Sequence, residues 1–185
     1  MKYDEGSLWR TKIIEKITKN QVEIYMGSII TFIFLITGLC LQHLTHEYSH
    51  VLVANLLGEK VLKIHWLTYH GGTRVFYENE PDFELQVKRK WGIIAGAGYI
   101  VTNCLAYILV GIYMIIHGGW LKVFVCILSM IFLFLDSLYF TLGSIFDFGD
   151  IIGVRKAFNL CKSSTIIFSS LVLLINILII VVVFY

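Results

Sequence analysis

Long apolar stretches are the feature that most limits how this chain can fold. The stretches at 26–57, 91–116, 120–145 and 164–185 each reach the roughly 20 residues that an α-helix needs to cross the hydrocarbon core of a bilayer. Hydrophobic residues make up 57% of the chain, whereas a soluble domain is roughly 45–50% apolar. We therefore predict an all-α integral membrane protein with about four transmembrane helices, which form one polytopic domain over residues 1–185.

The segments outside these spans are short and differ in character. Residues 1–25 form a basic, weakly amphipathic segment, a pattern that favours contact with an anionic leaflet. Residues 60–80 are rich in β-branched and aromatic residues on either side of Gly71 and Gly72, which predicts a small membrane-associated β-hairpin. Basic residues lie on both sides of the first span, so charge leaves the orientation in the membrane open.

The charges and the cysteines argue against two functional classes. The 15 basic and 13 acidic residues are scattered through the termini and loops, without the clustered basic surface of a nucleic-acid-binding protein. The four cysteines lie far apart, so we predict neither a disulfide framework nor a cysteine metal site. The lipid bilayer is therefore the expected partner, no nucleic acid is expected, and the oligomeric state is left open.

The first span contains the pattern H-E-x-x-H, in the residues His46-Glu47-Tyr48-Ser49-His50. On a helix, positions i and i+4 project from the same face about one turn apart, so the two imidazoles can bind one Zn²⁺. Glu47 lies beside the first histidine and can take a proton from a water that the metal activates. Each ionisable group costs about 2.5–3.5 kcal/mol at the centre of a span, which favours a compensating metal over a chance match.

A catalytic zinc site uses three protein ligands and leaves one coordination position for water, so a third ligand must come from elsewhere in the chain. The carboxylates in or near the later spans are Asp136, Asp147 and Asp150. Asp136 lies deepest within a span, whereas Asp147 and Asp150 flank the Phe148-Gly149 break. The residues alone leave all three as candidates for the third ligand.

These motifs resemble those of the site-2 protease family of intramembrane zinc metalloproteases. The resemblance covers roughly residues 30–160. It depends on the H-E-x-x-H motif and on the segment Asp-Ile-Ile-Gly-Val-Arg-Lys-Ala that begins at Asp150, which is similar to the family's later aspartate motif with Ile151 in place of a glycine. Residues 95–103 are similar to the family's glycine-rich, asparagine-bearing span, without its proline. The resemblance implies that His46, His50 and Asp150 hold the metal and that Glu47 is the base.

The resemblance implies a zinc-dependent metalloendopeptidase in the cell membrane that cleaves a membrane-embedded or membrane-bound protein or peptide, as in regulated intramembrane proteolysis. The hairpin at 60–80 could hold an extended segment of that substrate by strand addition. A zinc protease acting on soluble peptides usually has a glutamate as its third ligand, but Glu78, Glu80 and Glu84 lie in a charged loop. The alternative is a non-proteolytic metal-binding membrane protein, either a transporter or an inactive relative. Glu47 discriminates between the protease and this non-proteolytic alternative, since a site that only binds metal has little need of a base.

Overall fold

Four long apolar helices dominate the fold. The structure, a computed structural model, describes residues 5–65, 74–77 and 89–185. Four of its helices are long and apolar enough to cross a membrane, which confirms the prediction of an all-α, multi-pass membrane protein with a small β-hairpin. The elements are, in chain order, α1 (Glu5–Leu56), β1 (Val61–His65), β2 (Arg74–Tyr77), α2 (Arg89–Ile115), α3 (Gly119–Phe146), α4 (Asp150–Phe158) and α5 (Lys162–Phe184).

The first helix is longer than the span that we predicted at 26–57. It runs without a break for 52 residues, or about 78 Å at 1.5 Å per residue, so the basic segment at 1–25 continues into the same helix from Glu5. Its length exceeds the roughly 30 Å of a bilayer core, so the helix extends beyond the hydrocarbon. It ends just before Gly58, which has a positive φ of 78°, a conformation that glycine adopts without steric cost.

The other three long helices lie within two residues of the predicted limits at both ends. A turn with Gly118 and Gly119 at positive φ joins α2 to α3, and the two helices pack against each other. Further contacts join α1 to α2 and α3, and α5 to α3. The largest apolar cluster lies between α2 and α3 and contains Ala106, Leu128, Ile131, Phe132 and Leu133.

The hairpin consists of β1 and β2, which pair antiparallel with a register that runs from Val61 opposite Tyr77 to His65 opposite Arg74. The prediction of a hairpin within 60–80 is therefore confirmed for the two strands. The expected turn at Gly71 and Gly72 lies outside the described residues. Both strands contact α1, so the hairpin lies next to the helix that carries the H-E-x-x-H motif.

A buried polar network holds α5 against α2 and α3. The Asn176 amide nitrogen of α5 is fully buried and shares its two hydrogens among three acceptors, the Asn103 side-chain oxygen at 2.7 Å, the Leu133 carbonyl at 2.9 Å and the Ser137 hydroxyl at 2.6 Å. The Asn176 side-chain oxygen accepts a hydrogen bond from the Tyr107 hydroxyl at 2.9 Å. Because lipid offers no competing donors or acceptors, such bonds join helices that apolar packing alone would leave loosely associated.

We expect Asn176→Ala to destabilise the protein by about 1–2 kcal/mol, because it leaves buried polar groups on α2 and α3 without their partner. Thermal melting of the purified protein in detergent measures this loss. Ser170→Ala is the control, since Ser170 lies on an exposed face of the same helix. Equal melting temperatures for Asn176→Ala and the control would contradict the role given to this network.

Candidate metal centre

His46 and His50 lie one turn apart on the buried face of α1. Both side chains are buried, and their ring centroids are 5.0 Å apart. The helical spacing of the motif predicted this arrangement, because residues four apart project from the same side of a helix. The histidines face the bundle and not the lipid.

Asp150 reaches the two histidines from the start of α4. The chain breaks after α3 through Asp147 and Gly149, which both have positive φ, and α4 then begins at Asp150. The Asp150 Oδ2 lies 3.0 Å from His46 Nε2 and 3.4 Å from His50 Nε2.

The three donor atoms have the spacing of a metal site. The ligand atoms of His46, His50 and Asp150 all lie within 4.8 Å of one another. In a tetrahedral zinc site with bonds of about 2.0–2.1 Å, neighbouring ligand atoms are roughly 3.3 Å apart. Asp150 Oδ2 lies 3.0 Å from His46 Nε2 and 3.4 Å from His50 Nε2, on either side of that value. The donor set of two imidazoles and one carboxylate also fits zinc.

The other ring nitrogens support this interpretation. His46 Nδ1 donates to the Asp136 Oδ1 at 3.0 Å, and His50 Nδ1 donates to the Ile94 carbonyl at 2.7 Å. Because a carboxylate and a carbonyl accept hydrogen bonds, each Nδ1 carries its proton and each Nε2 is directed toward Asp150. Metal-binding histidines nearly always donate their second nitrogen to such an acceptor.

The two rival carboxylates occupy other positions. Asp136 is buried on α3, on the Nδ1 side of the His46 ring and away from Asp150. Asp147 forms exposed ion pairs with Arg155 at 2.5 Å and Lys162 at 2.7 Å. Of the three aspartates, Asp150 alone joins both histidines in the cluster. Metal binding by these residues stays a prediction.

Glu47 and Tyr139 lie at the edge of the cluster. Glu47 is partly exposed and lies close enough to both histidines and Asp150 to interact with them electrostatically. The Tyr139 ring stands edge-on to His46, with ring centroids 6.0 Å apart. Glu47 thus combines proximity to the donor atoms with access from outside the bundle, as a general base requires.

Gly98 allows α2 to approach the His46 ring. A Cβ at position 98 would lie 2.5 Å from His46 Nε2 and 2.6 Å from its Cε1. The ring is buried and its Nδ1 is hydrogen-bonded to Asp136, so it cannot easily move aside. The sequence placed Gly98 in a glycine-rich span, but only the contact between α1 and α2 explains why this glycine is needed.

Comparison with models of protein families, with curated proteins and with solved structures finds no match to this chain. The likeness to site-2 proteases therefore depends on the motif residues alone.

We expect Gly98→Ala to lower zinc binding by at least 10-fold, because the added methyl group displaces the His46 ring from its supporting hydrogen bonds. The measurement is zinc content and affinity of the purified protein. Gly96→Ala is the matched control, since its Cβ would meet Val154 at 3.4 Å, an acceptable contact. Equal zinc affinity in the two variants would show that the close approach at Gly98 has no role in the site.

A second prediction concerns Asp147, which anchors the turn before Asp150. Hydrogen bonds from Lys162 and then from Arg155 lower the pKa of Asp147 below 3.8. A carboxyl group with a lowered pKa stabilises the fold above its usual pKa, and this contribution is lost as the pH falls through the folded-state value. Asp147→Asn should therefore lower the melting temperature of the metal-free protein at neutral pH. The difference should shrink as the pH falls below 3.8 and vanish once the pH is below the lowered pKa of Asp147.

The exposed carboxylate Glu23 offers a control for the loss of one surface charge, as Glu23→Gln. The difference in melting temperature between wild type and Asp147→Asn could also stay constant from neutral pH to below pH 3.8. That result would rule out the ion pairs as its cause.

Proposed function

We propose that this protein is an intramembrane zinc metalloprotease of the site-2 protease type that acts in the cell membrane. The observation that carries the proposal is the meeting of His46 Nε2, His50 Nε2 and Asp150 Oδ2 beside Glu47. Two of these residues and the base come from one motif, and the third comes from the segment that resembles the family's aspartate motif. Support also comes from the placement of this cluster within a bundle of four long apolar helices.

The residues have separate tasks in peptide hydrolysis. His46, His50 and Asp150 would hold the ion. Zn²⁺ in such a site supplies Lewis-acid activation of water and polarises the scissile carbonyl. Glu47 accepts a proton from the attacking water and then donates it to the leaving amine. Because Glu47 contributes no ligand atom to the cluster, its role in proton transfer can be tested without removing the metal.

The substrate that suits this site is a membrane-embedded or membrane-bound protein or peptide in an extended conformation. A helical peptide bond has its carbonyl hydrogen-bonded and shielded, so a transmembrane substrate must unwind near the cleavage point. The hairpin lies against α1, and such a segment would pair with one edge of its two-stranded sheet by strand addition. The base and the Asp150 carboxylate are both partly exposed, which gives the unwound segment access.

We expect wild-type protein to bind about one Zn²⁺ and Glu47→Gln to bind the same amount while its peptide hydrolysis falls by about 10²–10⁴-fold, because the base is lost and the ligands remain. Elemental analysis measures the metal. Proteomic comparison of membranes that contain wild-type or Glu47→Gln protein measures cleavage and identifies the substrate.

His46→Ala and Asp150→Ala serve as controls that should lose both metal and activity. Cleavage by Glu47→Gln at the wild-type rate would overturn the catalytic assignment. Stable zinc binding by wild type without any cleaved membrane protein would favour the non-proteolytic alternative, a metal transporter or an inactive relative.

A further inference from the structure

A buried polar contact joins α1 to α3 directly behind the candidate metal centre. Gln42 of α1 donates through Nε2 to the Asp136 Oδ1 at 2.7 Å, and His46 Nδ1 donates to the same oxygen at 3.0 Å. All three side chains are less than 10% exposed. Gln42 and His46 are four residues apart and therefore lie on the same face of α1.

Asp136 is placed to act through His46 and not on the metal directly. The two nitrogens of an imidazole ring point in divergent directions, and the Asp136 oxygen lies at Nδ1 while Asp150 lies at Nε2. An ion between the two Nε2 atoms and Asp150 is therefore separated from Asp136 by the His46 ring. Asp136 can fix the orientation of that ring and the position of its proton, which determine where the Nε2 lone pair points.

Gln42 gives the Asp136 carboxylate a fixed orientation. Two donors, one from an amide and one from an imidazole, converge on a single oxygen, so the carboxylate cannot rotate without losing both hydrogen bonds. A carboxyl group within a span is costly unless it is paired. A contact needed only for helix packing could be made by uncharged side chains, as the Asn176 network shows elsewhere in the bundle.

We propose that Asp136 and Gln42 are positioning residues that orient His46 for metal binding, an inference that rests on the metal centre of the proposed function. The sequence alone left Asp136 as one of three candidate metal ligands. The structure instead places it in the position that supporting carboxylates occupy around metal-bound histidines, where their removal typically lowers metal affinity or activity by about 10–100-fold.

The test compares Asp136→Ala, Asp136→Asn and Gln42→Ala in the full-length protein purified in detergent. Zinc affinity is measured by competition with a chelator, and the visible absorption of the cobalt-substituted protein reports the ligand geometry. We expect Asp136→Ala to weaken zinc binding by about 10–100-fold and to change the cobalt spectrum. Asp136→Asn should restore part of the affinity, because its amide oxygen can still accept from His46. Gln42→Ala should weaken binding less than Asp136→Ala.

Ser137→Ala is the matched control. Ser137 is the buried neighbour of Asp136 and bonds to Asn176 at 2.6 Å within the separate network. The Ser137→Ala substitution should lower the melting temperature but leave zinc affinity and the cobalt spectrum unchanged. Zinc affinity of Asp136→Ala equal to that of Ser137→Ala would overturn the proposal. If Asp136→Ala does not fold, the comparison of Gln42→Ala with Ser137→Ala decides in the same way.

The experiments distinguish failure of the positioning role from failure of the proposed function. Wild-type zinc affinity in His46→Ala would show that the metal centre itself is wrong, and the positioning role would fall with it. Weaker zinc binding in the Asp136 and Gln42 variants, in a protein that cleaves no membrane substrate, would support the positioning role and contradict the protease.

Discussion

The cost of placing polar side chains inside a bilayer governs this structure. Each ionisable group at the centre of a span costs a few kcal/mol unless it finds a partner, and its partner must come from another helix or from the backbone. One such group of contacts joins α1, α3 and α4 through His46, Asp136 and Asp150. Another joins α2, α3 and α5 through Asn103, Ser137 and Asn176. These contacts determine which helices are neighbours, because apolar surfaces in lipid discriminate weakly between partners.

The same constraint explains the close helix contacts around α4. Buried polar atoms can meet only where backbones approach, and small residues permit this approach. Gly92 of α2 lies against Ala157 of α4, and Gly153 of α4 lies against Ala95 of α2. A salt bridge between Lys90, at the start of α2, and the buried Glu59, just before β1, joins these two segments. The short helix that carries Asp150 is therefore packed closely against α2, and it also contacts α3 and α5.

Local features of the sequence were sufficient to predict most of the fold and part of the site. Hydropathy located four spans because the number of residues that crosses a bilayer is fixed, and the spacing of His46 and His50 placed both rings on one face. The extent of α1 was underestimated, since polar residues interrupt its hydropathy at the N-terminal end without ending the helix. The sequence favoured Asp150 only through resemblance. Its proximity to the histidines depends on contacts across 104 residues, which no local pattern specifies.

The supporting residues could not be predicted for the same reason. Asp136, Gly98 and the Ile94 carbonyl become recognisable only when three helices are in contact. Gln42 gave a weak signal, since it is a polar residue in a lipid-length stretch and lies four positions before His46. That spacing placed it on the histidine face, but its partner could be identified only from the position of α3.

The location of Asp150 on α4 has a consequence for biosynthesis. His46 and His50 are translated about 100 residues before Asp150, and two more spans, α2 and α3, are translated in between. At the ribosome, where the N-terminal part of a chain is made first, α1 can enter the bilayer while its two imidazoles still lack their carboxylate. The donor set is completed only after α2 and α3 have entered and the turn at Gly149 has brought α4 back to α1. A chain that stops or inserts wrongly before that point contains the H-E-x-x-H motif without Asp150 beside it. Incomplete molecules therefore lack the full set of candidate metal ligands.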